Sequence, residues 1–542
     1  MKNIKSIRSL KSLRGFATVC LFFSLISVAQ LGCSISIGNE TQPATAPVQA
    51  NTQPPPPTQA DTHGINQAPT NNASQATPAE PTIITVAPPT QAPTSLVVPT
   101  KVVPPQPATA AVPVGVLSDT GPWLIITTTH SLWAMNADGS GLTEMVTMAG
   151  EGVIVGVSPQ PGGDKIAYLT FTDLECTHNA RLEIMQLPQR RPDTITKLTN
   201  EKTEPGANAG PGDPATEAVR SMIQYPSLVW SPDGQTLAFI GAQDGNSSDL
   251  YTYTMADGKI HRLTTGPSHV YAPSWSPDGK YIVTYGVESF GTGAGYLMKG
   301  GWAALADGSN IIDLPVPDSQ GETVIGWTGP SAFVVYSWNV DGGGSKLRTY
   351  DIETKKTTML YKGSLTEAAM STDTGYQEGN ILFTGGLDNK GIYLIPAGQT
   401  QPQKLADDDA SYVSYIKYPD VMFRVSIYPK GWTTFTPTGS HREDGPAPVS
   451  TTYENVAQYG AIWAWASNDP NNPGLWISGP GIEMRKIFND VADFPAWNQQ
   501  DNTLLFFSKS DLYIAKFFDY VPQKVSQVTD EIWAINWLIP IG

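Results

Sequence analysis

Cysteine and charge are both scarce in this sequence. Three cysteines occur among 542 residues, and one of them, Cys20, lies in an N-terminal apolar run. Disulfide bonds therefore do not hold the fold together, and a large hydrophobic core must do so. Charged residues make up only 15% of the chain, and the net charge is −16. An acidic body of this kind repels phosphate backbones, which excludes nucleic acid as the partner.

Sequence motifs of common enzymes are also absent. The chain has no Gly-x-Ser-x-Gly, no His-Glu-x-x-His, no phosphate-binding loop of the Walker type and no Cys-x-x-Cys. We therefore predict no catalytic residue and no cofactor, and we expect no hydrolase domain after the last repeat described below.

The N-terminus has the features of an export signal. Residues 1–15 carry five basic groups, and residues 16–31 form an apolar run too short to span a bilayer as a helix. The run ends in Gln30-Leu31-Gly32-Cys33, which resembles the lipobox of bacterial lipoproteins. The resemblance implies removal of a signal peptide (1–32) and a lipid thioether on Cys33. An ordinary secretory signal is the alternative.

Residues 33–115 consist mainly of Pro, Thr, Ala, Gln and Asn, as in NTQPPPPTQA at 51–60. With few apolar side chains to bury, such a segment cannot offset its ordering entropy and should stay disordered. We interpret it as a tether that holds the rest of the chain away from a membrane. A neutral spacer with no length requirement is an equal alternative.

Short β-rich repeats begin after residue 115. The pentapeptide WSPDG occurs at 230–234 and again at 275–279, and decayed forms occur near 157, 327 and 497. Proline favours the second position of a turn, and Asp-Gly suits the positions that follow, so each copy should join a strand a to a strand b. Strand c opens with a Leu/Ile-aromatic pair, as at Leu250-Tyr251. Strand d carries a basic-aliphatic-hydroxyl pattern, as at Arg262-Leu263-Thr264. Units of about 40–45 residues with four strands predict a β-propeller.

This set of turns and strand patterns resembles the TolB-type, WD-like propeller repeat over residues 121–541, most clearly at 227–280. The resemblance implies an all-β domain of four-stranded antiparallel blades over 116–542, and a role as an interaction module of the bacterial cell envelope. The small N-terminal domain of TolB has no counterpart here, so its particular partner is not carried over.

Counting the turns after strand a predicts eight blades, with seven as the alternative because 411–490 is irregular. The segment 423–437 could be blade strands or an inserted loop. The last residues, EIWAINWLIPIG, form one more strand a, with Trp537 in the position of Trp275. Residues 122–141 supply strands b and c without a strand a before them. We therefore expect the two ends to complete one blade and close the ring.

The connections between strands b and c, and between d and the next a, are long and lie on one face of the ring, while the other face has tight turns. Loops on a rigid scaffold usually carry recognition, so we predict that the long-loop face binds the partner. Long loops that are merely tolerated there are the alternative. The candidate contact residues are Asp173, Glu175, His178, Asp244, Asn246, Asp249, Glu288, Phe290, Tyr296, Trp338 and Asp341.

Two loops contain possible metal ligands. Asp173, Glu175, Cys176 and His178 could in principle hold zinc, but their spacing matches no known closed site. Asp244, Asn246 and Ser248 alternate like the start of a calcium loop, but the later glycine and glutamate are missing. We therefore interpret both as polar surface loops and predict no metal site.

These observations favour a non-catalytic, exported lipoprotein. We predict a monomer, anchored to a bacterial membrane through Cys33, whose propeller binds a protein or an envelope polymer. The alternative is a hydrolase or lyase acting on glycan or peptide in the central channel, which would need paired carboxylates near the axis. A structural envelope component without a saturable ligand is a third class.

Overall fold

The two WSPDG segments form the same turn in the computed structural model. Ser276 Oγ donates to Asp278 Oδ1 (2.6 Å) and accepts the Tyr281 N–H (2.9 Å), while the Gly279 N–H donates to the Ser276 carbonyl (2.9 Å). Gly279 has φ +72°, a conformation that glycine adopts without strain. The turn at 230–234 repeats these hydrogen bonds. The repeated pentapeptide is therefore a turn that starts strand b at a set distance from strand a.

The structure describes residues 115–540 apart from short internal segments. Those segments are 207–208, 211–212, 225, 289–297, 317–318, 339–343, 372–378, 387–388, 417–421, 428–430, 445–455, 460–461, 468–470, 480–481, 499–502 and 517–518. The signal peptide, Cys33 and the tether lie outside the described residues and remain predictions. No helix among the described residues is both long and apolar enough to cross a membrane.

The described strands form nine four-stranded antiparallel sheets, each ordered a-b-c-d. The a strands are β4 (Val153–Pro159), β8 (Leu228–Trp230), β12 (His269–Trp275), β16 (Gly321–Trp327), β20 (Leu365–Met370), β24 (Ala410–Ile416), β28 (Val456–Tyr459), β32 (Asp493–Trp497) and β36 (Ile532–Leu538). The b strands are β1 (Trp123–Thr128), β5 (Lys165–Phe171), β9 (Thr236–Gly241), β13 (Tyr281–Val287), β17 (Ala332–Trp338), β21 (Ile381–Gly385), β25 (Met422–Ile427), β29 (Ile462–Ser467) and β33 (Leu504–Ser508).

The two outer positions complete each blade. The c strands are β2 (Ser131–Asn136), β6 (Arg181–Gln186), β10 (Asp249–Thr254), β14 (Met298–Leu305), β18 (Ser345–Asp351), β22 (Gly391–Ile395), β26 (Gly431–Phe435), β30 (Gly474–Gly479) and β34 (Asp511–Ala515). The d strands are β3 (Thr143–Thr147), β7 (Pro192–Lys197), β11 (Ile260–Arg262), β15 (Ile311–Leu314), β19 (Thr357–Gly363), β23 (Gln403–Ala406), β27 (His441–Asp444), β31 (Ile482–Phe488) and β35 (Pro522–Gln527). Blade 1 is β36 with β1–β3, and blades 2 to 9 follow in chain order.

The prediction of eight blades, or seven, is wrong, because the described strands form nine sheets. The irregular region 411–490 contains two blades, β24–β27 and β28–β31, whereas the number of turns predicts one. Strands β28 and β29 meet in a hairpin that pairs Tyr459 with Ile462, without the Pro-Asp-Gly turn used for counting. The segment 423–437, left open between blade strands and a loop, supplies β25 and β26 of blade 7.

Blade 1 closes the ring by joining the two ends of the described chain. Strand β36 pairs with β1, with Leu538 opposite Trp123 and Trp537 opposite Leu124. The expected equivalence of Trp537 and Trp275 is off by one residue. Leu538 precedes Ile539-Pro540 as Trp275 precedes Ser276-Pro277, and Leu538 is fully buried while Trp537 is not.

The core lies between the blades. The a strands of neighbouring blades contact one another, and the sheet faces bury side chains against the next blade. Between blades 9 and 1 the packing is aliphatic and aromatic, with Leu124 and Ile126 against Leu505 and Phe507. Between blades 7 and 8 it is built largely on the tryptophans Trp432, Trp463 and Trp465.

Tryptophans at the ends of a strands also form hydrogen bonds between blades. The Trp230 indole donates to the Ser158 carbonyl (3.0 Å), and the Trp275 indole donates to the Val229 carbonyl (2.9 Å). The Trp327 indole donates to Ser274 Oγ (3.0 Å). Each acceptor is the second-to-last residue of the preceding a strand. The repeat tryptophan therefore sets the spacing of neighbouring blades as well as filling the core.

Replacing Trp275 with phenylalanine should lower the free energy of unfolding by about 1–2 kcal/mol, because the half-buried Val229 carbonyl loses its donor and some packing is lost. Trp302→Phe is the matched control, since the Trp302 indole N–H makes no hydrogen bond within the described residues. The midpoint of chemical denaturation measures both variants. Equal loss in the two variants would show that the hydrogen bond between blades contributes nothing.

Among the described residues, one helix interrupts the β-strands, in a connection that the sequence predicts only as a long loop. Helix α1 (Pro214–Ile223) begins at Asp213, whose side chain accepts the N–H groups of Ala215 and Thr216. Its apolar face buries Ala218, Val219 and Met222 in the core shared by blades 2 to 5. The helix contacts β9 of blade 3 and β12 of blade 4, so it covers part of the long-loop face where these two blades meet.

Candidate functional site

Asp173 organises the first predicted recognition loop. Its carboxylate accepts the N–H of Thr177 (2.9 Å) and of His178 (2.6 Å), and Oδ2 lies 3.2 Å from His178 Nδ1. These bonds fold residues 173–178 into a compact turn. Asp173 therefore shapes the loop, while the half-exposed imidazole of His178 remains accessible beside it.

The possible zinc ligands of this loop point apart. Cys176 has φ +55° and a side chain that is 1% exposed and packed in the core, whereas Glu175 is exposed. No group of three or more metal-ligating side chains is found among the described residues. The structure thus places Asp173 and His178 together, with Glu175 on the solvent side of the same turn.

Glu204 links this loop to the end of strand β7. It accepts the Asn179 N–H (2.7 Å) and the Thr199 hydroxyl, and it pairs with Lys197 Nζ (3.1 Å). Burial alone would raise the pKa of Glu204, but these donors hold the pKa below its ordinary value. Glu204 is therefore ionised at neutral pH and connects two loops of blade 2.

A second set of hydrogen bonds joins blade 2 to blade 3. Asn200 Nδ2 donates to the carbonyls of Ala242 (2.9 Å) and Gly245 (3.0 Å), and the Thr203 hydroxyl donates to the same Ala242 carbonyl (2.7 Å). Gln243 Nε2 donates back to Lys197 O (2.9 Å). Residues 171–180, 196–206 and 241–249 thus form one connected surface, which we call the loop platform.

Two of the candidate residues in the blade 3 loop are exposed, and one is buried. Asp244 is exposed and accepts the Tyr251 hydroxyl (3.2 Å), and Asn246 is exposed. Asp249, expected as an exposed contact, is 1% exposed. It is held by Arg262 Nη2 (2.6 Å) and the Thr264 hydroxyl (2.9 Å).

Asp249 therefore has an internal role. Burial raises its pKa to about 6, against the opposing effect of Arg262, so the carboxylate is ionised at neutral pH. Arg262 and Thr264 of the Arg-Leu-Thr pattern thus bind the acid at the start of strand c. Blade 9 repeats the ion pair as Lys524 with Asp511 (2.8 Å).

Of the candidate contact residues in blades 4 and 5, the structure describes Glu288 and Trp338. Glu288 Oε2 pairs with Lys299 Nζ at 2.7 Å, and both side chains are exposed. The Trp338 ring is half-buried over Gly321 and lies 5.6 Å from the Tyr336 ring. Phe290, Tyr296 and Asp341 lie outside the described residues, so their predicted contacts stay predictions.

A buried polar cluster beneath the loop platform was not predicted. Ser221 Oγ of α1 contacts Ser248 Oγ at 2.5 Å, and the Ser248 N–H donates to His269 Nδ1 at 3.2 Å. Burial lowers the pKa of His269 although Glu217 opposes the shift, so His269 is neutral at pH 7. All three hydrogen-bonding side chains are buried, and His269 opens β12, so this cluster fixes α1 to blades 3 and 4. The amphipathic spacing of apolar residues in 214–223 was the one sequence signal that could have indicated this helix and the cluster beside it.

Two carboxyl groups on a strands have raised pKa values. Burial raises the pKa of Glu367 to about 8, against an opposing hydrogen bond from the Val413 N–H. Burial also raises the pKa of Asp493 above its ordinary value. Glu367 belongs to blade 6 and Asp493 to blade 9, so two blades separate them and they form no adjacent pair.

The fold and the repeats together define a TolB-like β-propeller. Over 71 residues the chain is 30% identical to the Tol-Pal system protein TolB of Alcanivorax borkumensis, which covers 13% of this chain and 16% of that protein. No protein-family model matches the chain.

Peptidases carry similar repeats. The chain is 46% identical over 54 residues to the uncharacterized peptidase YuxL of Bacillus subtilis, covering 10% of this chain and 8% of that one. It is 26% identical over 140 residues to dipeptidyl-peptidase 5 of Porphyromonas gingivalis, covering 24% and 20%. The chain thus spans a fifth or less of the length of these three relatives, and the shared repeats do not separate a binding protein from an enzyme.

Solved structures similar to parts of the chain include TolB from Acinetobacter baumannii, at 15% identity and TM-score 0.29 over 53% of this chain and 67% of that one. A structure of the eukaryotic initiation factor gives TM-score 0.49 at 14% identity over 78% of this chain and 100% of the other.

Proposed function

We propose that this protein is an exported lipoprotein that binds a protein or an envelope polymer through the long-loop face of its propeller, without catalysis. The observation that carries the proposal is the loop platform. Hydrogen bonds through Glu204, Asn200 and Thr203 lock loops of two blades into one surface, and α1 supports that surface from below. A preorganised surface loses less entropy on binding than separate loops would.

The exposed side chains of the loop platform indicate the chemistry of the partner. Glu175, Glu201 and Asp244 are exposed there against two exposed lysines, Lys197 and Lys202, of which Lys197 is already paired with Glu204. The platform therefore presents more carboxylates than cations, and the expected partner surface carries basic groups. His178 and Asn246 add hydrogen-bonding groups at the same surface.

A charge reversal tests this proposal on the full-length chain. Glu175→Lys with Asp244→Lys changes two exposed carboxylates of the platform, and Asp119→Lys with Glu483→Lys makes the same change at exposed positions outside it. The immobilised protein is used to capture partners from a native envelope extract, and each captured partner is then purified and titrated. Affinity should fall at least about tenfold in the platform variant, and little in the control.

Equal affinity of the two variants for every purified partner would refute the platform as the binding surface. Absence of any saturable partner would favour a structural role instead. Circular dichroism and the unfolding midpoint must match the unmodified protein in both variants, which separates lost binding from lost folding.

The alternative, a glycan- or peptide-cleaving propeller, has one supporting observation in the raised pKa of Glu367. Acid–base cleavage by two carboxyl groups needs them close together on either side of the substrate. Glu367 and Asp493 stand on the a strands of non-adjacent blades, so a binding function accounts for the described residues better.

A further inference from the structure

A cavity of about 340 Å³ lies between blades 2 and 3, on the tight-turn face opposite the loop platform. It is bounded by the ends of β6 and β10, by the start of β7, and by the turn that contains Gly258. Its lining combines charged and amide side chains with an apolar part formed by Ile184, Ile195 and Met255. Concave sites of this size that combine apolar walls with a few polar groups are typical of small-ligand binding.

Two oppositely charged side chains of the cavity have no ion-pair or hydrogen-bond partner within the described residues. Lys165 pairs with Asp164 (3.1 Å), and Thr194 donates to Glu183 (3.0 Å). Arg191 and Asp193 also line the cavity, but neither makes an ion pair or a hydrogen bond within the described residues. The guanidinium and the carboxylate therefore remain available to a ligand.

The strand geometry places these two groups on one side. Arg191 directly precedes β7, and Asp193 follows two residues later, paired across the sheet with Ile184, which also lines the cavity. Alternate residues of a strand project to the same side, with α-carbons about 7 Å apart. A cation and an anion thus face the cavity side by side, and Ile195, the extra residue where the pairing with β6 shifts register, lines the same cavity.

We propose that this cavity binds a small zwitterion, a free molecule with one carboxylate and one ammonium group separated by a short carbon chain. Arg191 receives the carboxylate, since guanidinium groups match carboxylate geometry. Asp193 receives the ammonium group. Ile195 and Met255 contact the carbon chain, and Tyr253 lies at the cavity wall beside Gly258.

Three probes of similar size test the charge requirement on the full-length protein: 4-aminobutanoate, butanoate and butylamine. Titration is followed by the methyl resonances of Met255 and by calorimetry at millimolar probe concentration. We expect 4-aminobutanoate to bind at least about tenfold more tightly than either singly charged probe, because each lost charged contact is worth roughly a factor of ten. No binding by any probe, or equal binding of butanoate and 4-aminobutanoate, would overturn the proposal.

The chain offers a matched control for Arg191. Arg190 is the adjacent exposed arginine and does not line the cavity. Arg191→Gln should weaken 4-aminobutanoate about tenfold or more without changing butylamine, whereas Arg190→Gln should change neither. Equal effects of the two substitutions would mean that general surface charge is responsible and would refute the site.

Triglycine tests whether the cavity binds a peptide instead of a free small molecule. Its ammonium and carboxylate groups are farther apart than those of 4-aminobutanoate. Tighter binding of triglycine than of 4-aminobutanoate would assign the cavity to peptides and overturn the small-ligand proposal. Because the cavity and the loop platform are on opposite faces, each result is independent of the proposed partner-binding function.

Discussion

Replacing Arg348 with methionine is expected to lower the free energy of unfolding by about 3–5 kcal/mol. Arg348 Nη2 lies 2.5 Å from Glu322 Oε1, and the Glu322 side chain is 0% exposed. The pair connects β16 and β18 within blade 5. Removal of the arginine would leave a buried carboxylate without its counter-charge, which is far more costly than loss of an exposed ion pair.

The surrounding hydrogen bonds cannot replace Arg348. Ser319 and Ser337 each donate to the same Oε1 atom at 3.1 Å. The other oxygen, Oε2, is buried and has no hydrogen-bond partner among the described residues. Glu322 therefore depends on Arg348 for its charge compensation.

Chemical denaturation measures the lost free energy of unfolding, and two further variants are compared with Arg348→Met. The double variant Glu322→Leu with Arg348→Met should recover much of the lost stability, because two apolar side chains need no charge compensation. Lys280→Met breaks an ion pair with Glu353 whose side chains are 48% and 55% exposed, and it should change stability little. If Arg348→Met is as stable as the unmodified protein, the buried pair is not a stabilising element of blade 5.

Replacing Glu367 with glutamine should stabilise the protein at alkaline pH and not at acidic pH. Burial raises the pKa of Glu367 from 4.5 to about 8, so the folded protein binds the proton more tightly than the unfolded chain does. The stability from the protonated carboxyl is fully present below about pH 4.5 and is lost progressively as the pH rises through 8. Glutamine stays neutral throughout this range.

Unfolding midpoints of the variant and the unmodified protein, measured from pH 4 to pH 9, test this expectation. The two curves should diverge with rising pH, to a difference on the order of 3 kcal/mol at pH 9. Glu175→Gln, at an exposed carboxylate, should follow the unmodified protein at every pH. Parallel curves for Glu367→Gln would mean that Glu367 is ionised in the folded protein at neutral pH.

Much of the fold could be predicted from the sequence, because each turn is formed by residues close together in the chain. Ser276, Asp278 and Gly279 determine their own hydrogen bonds within a few residues, so the turn, strand b and the blade period follow from the repeat. The count failed where blade 8 uses the hairpin from Tyr459 to Ile462 instead. A blade without the Pro-Asp-Gly turn is defined only by the pairing between its strands, and a search for turn motifs does not detect that pairing.

The candidate site was predicted less completely. Asp173, His178 and Asp244 do lie in the loops that the sequence indicated, and these loops share one surface. Asp249 is instead buried against Arg262, because the start of strand c packs on strand d. The links through Asn200 and Glu204, and the support from α1, join residues from different loops and blades.

The sequence by itself determined the repeat unit, the blade order of strands and the acidic character of the loops, because each depends on side chains near one another in the chain. Only the tertiary structure decided the number of blades, the register that places Leu538 rather than Trp537 in the closing position, and which loop acids remain exposed. The structure also decided that Arg191 and Asp193 share a cavity with Met255 of the next blade. These features depend on how blades pack, and packing brings together residues whose separation along the chain carries no local signal.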